Sequence, residues 1–520
     1  MLREIWAEGI RNPDSRTRLL LPCTQGCDIL KRYGGISGHF QEMPVTIVKG
    51  QARSCRGVRM RQLIGNKKFY QRVLMIAVPI MIQNGITNFV GLLDNIMVGM
   101  VGTEQMTGVA IVNQLLFVYN ISIFGVISGA GIFGAQFFGG GNHDGVRHTF
   151  RFKMIASLIL TAAALALLLF QGEGLITMYL HGEGNEAALG LALGQGKKYL
   201  AVMLLGLLPF GVEQVYISTL RECAETVIPM KAGIAAVFVN LVLNYILIFG
   251  KFGAPALGVV GAAVATVISR YVEASIVIIW THRHTRRNPF IAGAYRSFYI
   301  PAGLVKSIVV KGTPLMINEA LWAVGMAAIM QCYSLRGLEA VAGLNISSTI
   351  GNVFNVVYLA FGNAVSIIVG QLLGAGKMKE ARETDTKLIA FSVAACVCIG
   401  AILALLAPLF PEIYNTSGEV KALAASFIRI IAICMPMGAF IHASYFTLRS
   451  GGKTVVTFLF DSVFMWLVNI PFAYVLSRYT GLPIVLLYLA CQMIDLIKCF
   501  IGFVLVKNGI WIQNIVESKP

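Results

Sequence analysis

The sequence predicts an all-α, polytopic membrane protein: twelve transmembrane helices in two pseudo-symmetric six-helix bundles. Three observations carry this. Of 520 residues, 56% are hydrophobic and only 13% charged, against about 25% charged in a soluble domain. Apolar runs long enough to cross a bilayer, which takes about 20 residues, occur twelve times. The second six runs repeat landmarks of the first at a constant spacing.

The elements follow in order. Residues 1–59 are polar, rich in Arg and Gly, and without a sustained period. Their one leucine run, Leu19–Leu21, is too short for a signal-peptide core. They read as a disordered N-terminal extension, and MRQLIGNKKFYQRV, from Met60, reads as a natural start. Spans are expected near 71–99, 107–138, 150–170, 193–219, 228–250 and 257–280, forming an N-lobe over 60–285. A second set near 302–331, 341–373, 386–408, 423–447, 454–476 and 484–506 forms a C-lobe over 286–520. Counted from a cytoplasmic start, the inside segments hold most of the Lys and Arg, including Arg147, Arg151, Lys153, Arg283, Arg286, Arg287, Lys377 and Lys379. Basic residues stay on the cytoplasmic side of short loops. Both termini are therefore expected inside, in a multi-pass protein of the plasma membrane.

That asymmetry accounts for the net charge of +17 without a nucleic-acid partner. HRHTRR, His282–Arg287, reads as a topology anchor. The ten cysteines give no disulfide framework, and Cys23 and Cys27 lack partners at zinc spacing. GGKT, Gly451–Thr454, resembles the end of a phosphate-binding loop, but Thr447 stands where its first Gly belongs. It reads as a turn between spans ten and eleven. There is no HExxH and no GxSxG, and no soluble stretch long enough for an ATP-hydrolysing domain. Neither an enzyme nor an ATP-driven pump is expected, and no cofactor.

The repeat is specific. Pro79 pairs with Pro314, Gly102 with Gly337, Glu104 with Glu339, Gln136 with Gln371 and Gly139 with Gly374, each 235 residues apart. TLR recurs at Thr219–Arg221 and Thr447–Arg449, and Pro255 pairs with Pro483, at an offset of 228. Six spans per repeat is an even number, so the halves share one orientation and an axis along the membrane normal. Such bundles bind substrate near the midplane between the halves and work by rocking.

Intramembrane ionisable groups are costly and mark pathways. Asp94 is the only charge after Arg72 in the first span. It can exchange a proton or bind Na⁺, or it can be a static helix-end hydrogen bond. Asn240 and Asn244 lie one turn apart on span five and share a face; amide and carboxylate oxygens suit a hard cation. Glu319 shares a helix with Trp322, and a carboxylate beside an aromatic suits an organic cation; the alternative is a tie between helices. Glu213 and Gln214 in span four face substrate or bond between helices. Arg270 with Glu273, and Asp495 with Lys498, are spaced to neutralise each other in i,i+3 pairs. Asp461 and His442 are candidates for the lining of a C-lobe cavity.

QNGITNFVGLLDNIMVGMVGTEQMTGVA, VNLVLNYILIFGKFGAPALGVVGAAVAT and DLIKCFIGFVLVKNGIW resemble the MATE family, the multidrug and toxic compound extrusion transporters. The resemblance covers about residues 65–515. It implies a secondary antiporter, exporting cationic or amphipathic organic compounds against inward Na⁺ or H⁺. It also implies a cation site of Asp94 with Asn240 and Asn244, and a functional carboxylate at Glu319; substrate contacts are expected at Glu319, Trp322, Glu213 and Gln83. A monomer is expected. Three departures stand out: LRECAET (Leu220–Thr226) lacks the glycines of the family's LRGAGDT, Asn244 stands where some members have Asp, and no carboxylate occurs near Gly438. Two rival readings are a lipid-linked-precursor flippase of the same superfamily and a non-transporting membrane scaffold. A flippase favours a basic groove, whereas the mid-span charges here are mostly acidic.

Overall fold

A computed structural model describes residues 63–180 and 186–517. Residues 1–59, expected to form a polar extension, lie outside the described residues. Twelve helices are long and apolar enough to cross a membrane, and each sits where a span was expected. They are α1 (Lys67–Gly99), α2 (Thr103–Gly139), α3 (His143–Tyr179), α4 (Glu186–Met203 continued by Leu207–Glu222), α5 (Val227–Phe249) and α6 (Val259–Arg283). The second set is α7 (Ala302–Ser334), α8 (Leu338–Gly374), α9 (Met378–Leu406), α10 (Gly418–Ser450), α11 (Thr454–Tyr479) and α12 (Ile484–Asn508). No strand occurs among the described residues. A helix satisfies every backbone group within its own segment, which a hydrocarbon solvent demands.

Local chemistry sets the ends. Asn66, Asn142 and Ser417 accept hydrogen bonds from the backbone N–H three residues on, capping α1, α3 and α10. Gly250 and Gly509, at φ +66° and +70°, close α5 and α12 in the left-handed region that glycine tolerates. Pro79 and Pro314 lie inside α1 and α7. The helices run on through both, as membrane helices with packed neighbours can.

The outer surface is apolar. Phe170 is 84% exposed and Leu405 79%, which in lipid costs nothing. One buried cluster gathers α2 to α6, centred on Tyr119, Phe150, Leu207 and Tyr216. A second gathers α8, α9, α10 and α12, and it also takes Val73, Ile76, Ala77 and Ile80 from α1. Those four sit at i, i+3, i+4 and i+7, one stripe of the helix. The halves meet through α1 with α8, α2 with α7, and α2 with α8. By the 235-residue repeat, the first two pairings are images of each other.

At the end where α2 and α8 finish, the contact is reciprocal. Gln371 donates to the carbonyl of Glu222 (2.8 Å) and Gln136 to that of Ser450 (2.9 Å). Glu222 and Ser450 are themselves 228 apart. A Cβ on Gly139 would run into the Gln371 backbone, and one on Gly374 into the Gln136 backbone. Only hydrogen at those positions lets the two helices approach so closely.

Candidate functional site

Asp94, near the end of α1, faces α5. Asn244 Nδ2 donates to Asp94 Oδ1 at 2.5 Å and to Asn240 Oδ1 at 3.0 Å. Asn240 in turn donates to Thr266 Oγ1 of α6 (3.3 Å). Both asparagines are buried, and Asn244 Oδ1 has no hydrogen-bond partner. Among the described residues, no lysine or arginine pairs with Asp94. The residues expected to share a face thus share one site, which offers a carboxylate and amide oxygens but no positive charge. Among the described residues no group of three His, Cys, Asp or Glu side chains gathers for a metal. A transition-metal centre has no ligands here, whereas this oxygen set is one that a hard cation accepts.

A second cluster lies deeper in the first half. Gln83 accepts a hydrogen bond from Arg221 at 2.5 Å and bonds Glu273. Glu213 is 2% exposed; its Oε1 accepts from Gln214 at 3.3 Å and its Oε2 has no partner. Arg270 and Glu273, expected to neutralise each other, act on one another only at longer range, with no contact ion pair among the described residues. Arg270 turns instead onto the ring of Phe210, 4.8 Å from its centroid, while Glu273 turns to Gln83. A neighbour on another helix can offer both burial and a bond; an i,i+3 partner on the same lipid-facing helix offers less. A cavity of about 310 Å³ opens between α2 and α4, with Arg221 and Gln214 in its wall.

In the second half, Glu319 accepts from the Tyr445 hydroxyl at 3.4 Å. Trp322 is 41% exposed and donates no bond to Glu319; the Trp466 indole, not Trp322, binds back to α7 at the Leu321 carbonyl. Beside Glu319, Asn318 holds Asp461 (3.1 Å) and the Ser462 hydroxyl. The second expected pair also fails: Lys498 binds Asp461 at 2.5 Å, and Asp495 accepts from Asn469 at 3.0 Å. Two π-helical stretches in α11, Leu459–Val463 and Met465–Asn469, shift its side-chain phase so that Asp461 reaches α12 and α7. Such bulges recur at functional sites. His442 packs on Tyr358 and binds the Gly438 carbonyl.

Sequence reasoning gave Arg221 and Arg449 no role beyond marking the repeat. Both are drawn inward, Arg221 to Gln83 and Arg449 over the Phe446 ring. The repeated TLR was the available signal, since two arginines at equivalent places in a duplication share an environment. Two buried groups gave no signal. Lys153 pairs with Glu222 at 2.9 Å, and Asp385 meets Thr447 at 2.5 Å; their partners lie 62 or more residues away.

The MatE family model matches residues 79–246 and 314–475. Those two blocks begin at Pro79 and Pro314, one repeat apart. The chain belongs to the MatE family. It is similar to a probable multidrug resistance protein NorM of Thermotoga maritima, 24% identical over 456 residues that cover 86% of this chain and 94% of that one. It is also similar to a multidrug resistance protein MdtK of Pectobacterium atrosepticum, 26% identical over 410 residues, 78% and 87% of the two chains. In fold it resembles an outward-facing multidrug resistance MATE family transporter of the MOP superfamily, with a TM-score of 0.75 at 20% identity over 86% of this chain and 97% of that one. This MatE protein is therefore a multi-pass membrane protein built from two related six-helix halves.

Proposed function

We propose that this MatE protein is a secondary antiporter that exports cationic or amphipathic organic compounds, driven by inward movement of Na⁺ or H⁺. The observation that carries the reading is the site of Asp94, Asn240 and Asn244: an anionic oxygen cluster between membrane-spanning helices with no cation beside it. A buried charge left unpaired is expensive. A proton or Na⁺ relieves that cost, and its departure restores it. Such a site alternates between two states of charge, which coupling requires.

The linkage follows. Asp94 lies on α1, which packs against both α5 of its own half and α8 of the other. A cation on Asp94 alters what that helix contributes to each contact. It favours one facing only to the extent that it binds the two facings differently. Glu319, on the equivalent helix α7, supplies the second anionic group, with an exposed Trp322 one turn on. Together they favour a cationic substrate. With both termini inside, the reciprocal Gln136 and Gln371 contact closes the cytoplasmic face, so the state described is the one that releases substrate outward.

The test is efflux from inverted vesicles with the proton and sodium gradients imposed separately. One of the two should drive uptake of an organic cation into the vesicle lumen. Uptake that ignores both gradients would overturn the antiport reading.

A further inference from the structure

Arg221 is a half-buried guanidinium that lines a cavity in the first half and has no acidic partner among the described residues. Lys153 has Glu222 and Lys498 has Asp461. Among the described residues Arg221 bonds the neutral amide of Gln83 and makes no ion pair. Its Nε is buried without a partner, and so is the Asn120 Oδ1. Both residues line the same space of about 310 Å³, with Gln214 and Ser218 beside Arg221 and an otherwise apolar and aromatic wall that includes Phe124 and Phe210. Arg270 stands behind Phe210, a second guanidinium without an ion pair. Glu213 and Glu273 act on the two arginines only at longer range. A space of this size holds a small organic molecule. A guanidinium at its polar end recognises a carboxylate through paired N–H donors.

The geometry points to a second substrate subsite, between α2 and α4, that takes the carboxylate end of an aromatic amphiphile, with Arg221 as the specificity-determining residue. This deepens the antiport reading and rests on it: Glu319 reads positive charge and Arg221 reads negative charge, so compounds bearing both are the best substrates. The probes are an aromatic amine carrying a carboxylate and its methyl ester, measured both for equilibrium binding to the purified full-length protein and for gradient-driven transport. Arg221→Gln should weaken binding of the acid roughly tenfold or more and leave the ester within about twofold. Arg221→Lys should fall between. Asn120→Leu, which fills the cavity without touching the charge, should weaken both probes. Equal losses for acid and ester in Arg221→Gln, with Arg221→Lys behaving as wild type towards both, overturn the subsite. Selective binding without driven transport would instead remove the antiport reading and leave the subsite standing.

A separate set of contacts carries a second inference. Past Gly509 the chain turns back, and Trp511 is 1% exposed. Gln513 then donates to the Gly451 carbonyl at the end of α10 (2.5 Å), and Asn514 to the Gly374 carbonyl at the end of α8 (3.3 Å). The Ile515 N–H donates to Gln136 Oε1 of α2 (2.9 Å). Ile515 and Val516 pack against Phe133 and Ile308. Four consecutive residues, 513–516, thus tie the α8 and α10 ends of one half to α2 of the other. We infer that residues 511–517 form a strap that latches this face shut and must detach whenever the face opens. Cysteines at Ile515 and Phe133, joined by a short reversible thiosulfonate cross-linker, should stop transport, and reductant should restore it. Gln513→Ala with Asn514→Ala should speed labelling of a cysteine placed at Ser450, which is 1% exposed in this state. Full transport by the cross-linked protein, or unchanged labelling in the double variant, removes the latch.

Discussion

Asp94 is where the chemistry of a single residue decides most. Asp94→Asn keeps size and hydrogen bonding but removes the exchanging group. A neutral amide is cheaper to bury than a carboxylate, so expression and folding should survive. Driven export should fall at least about tenfold, because nothing then distinguishes the two charge states, while substrate binding without a gradient changes little. Poor expression with normal coupling in whatever folds would mark Asp94 as structural. Glu319→Gln tests the opposite half: export of cations should drop more than export of neutral compounds, measured on a matched pair. Equal loss would place Glu319 in coupling or in the Tyr445 hydrogen bond.

Helices carry the next level of specification. The bond between Lys498 and Asp461 joins α12 to α11 through a π-helical turn. Lys498→Met leaves Asp461 buried and unpaired, which should destabilise the protein by about 3–5 kcal/mol. Adding Asp461→Asn should recover much of that loss, read as the melting temperature in detergent. A double variant no better than the single would show that the pair is not the relevant contact. At the junction of α2 with α8, Gly139→Ala places a Cβ against the Gln371 backbone. The closed arrangement should lose population, and thiol labelling from that face should rise.

At the scale of the molecule, the basic residues of the alternate loops predict both termini inside. A cysteine at Gly184 should react with an impermeant reagent on intact cells, and Arg286→Cys should stay protected. The reverse pattern would invert the protein in the membrane and with it the direction of transport. The two halves give the rocking motion its lever. Their contacts are α1 with α8, α2 with α7, and α2 with α8, the surfaces that a rocking transporter would open at one end while closing at the other.

The sequence by itself determined the twelve spans, the duplication, the family, and the shared face of Asn240 and Asn244. These follow from period, length and spacing, which are local properties or comparisons of the chain with itself. It also singled out Asp94 and Glu319, because a carboxylate inside an apolar run stands out without any neighbour being known. Tertiary structure alone decided the partners. Lys498 chose Asp461 over Asp495, and Arg270 chose the face of Phe210 over Glu273. Arg221, in sequence only a mark of the repeat, stands in the wall of a cavity. For Lys498 and Arg270 the i,i+3 neighbour lost to a group on another helix, because inter-helical packing removes lipid and supplies a bonding partner at once. That choice depends on the phase and depth of two helices together, which no single stretch of sequence contains.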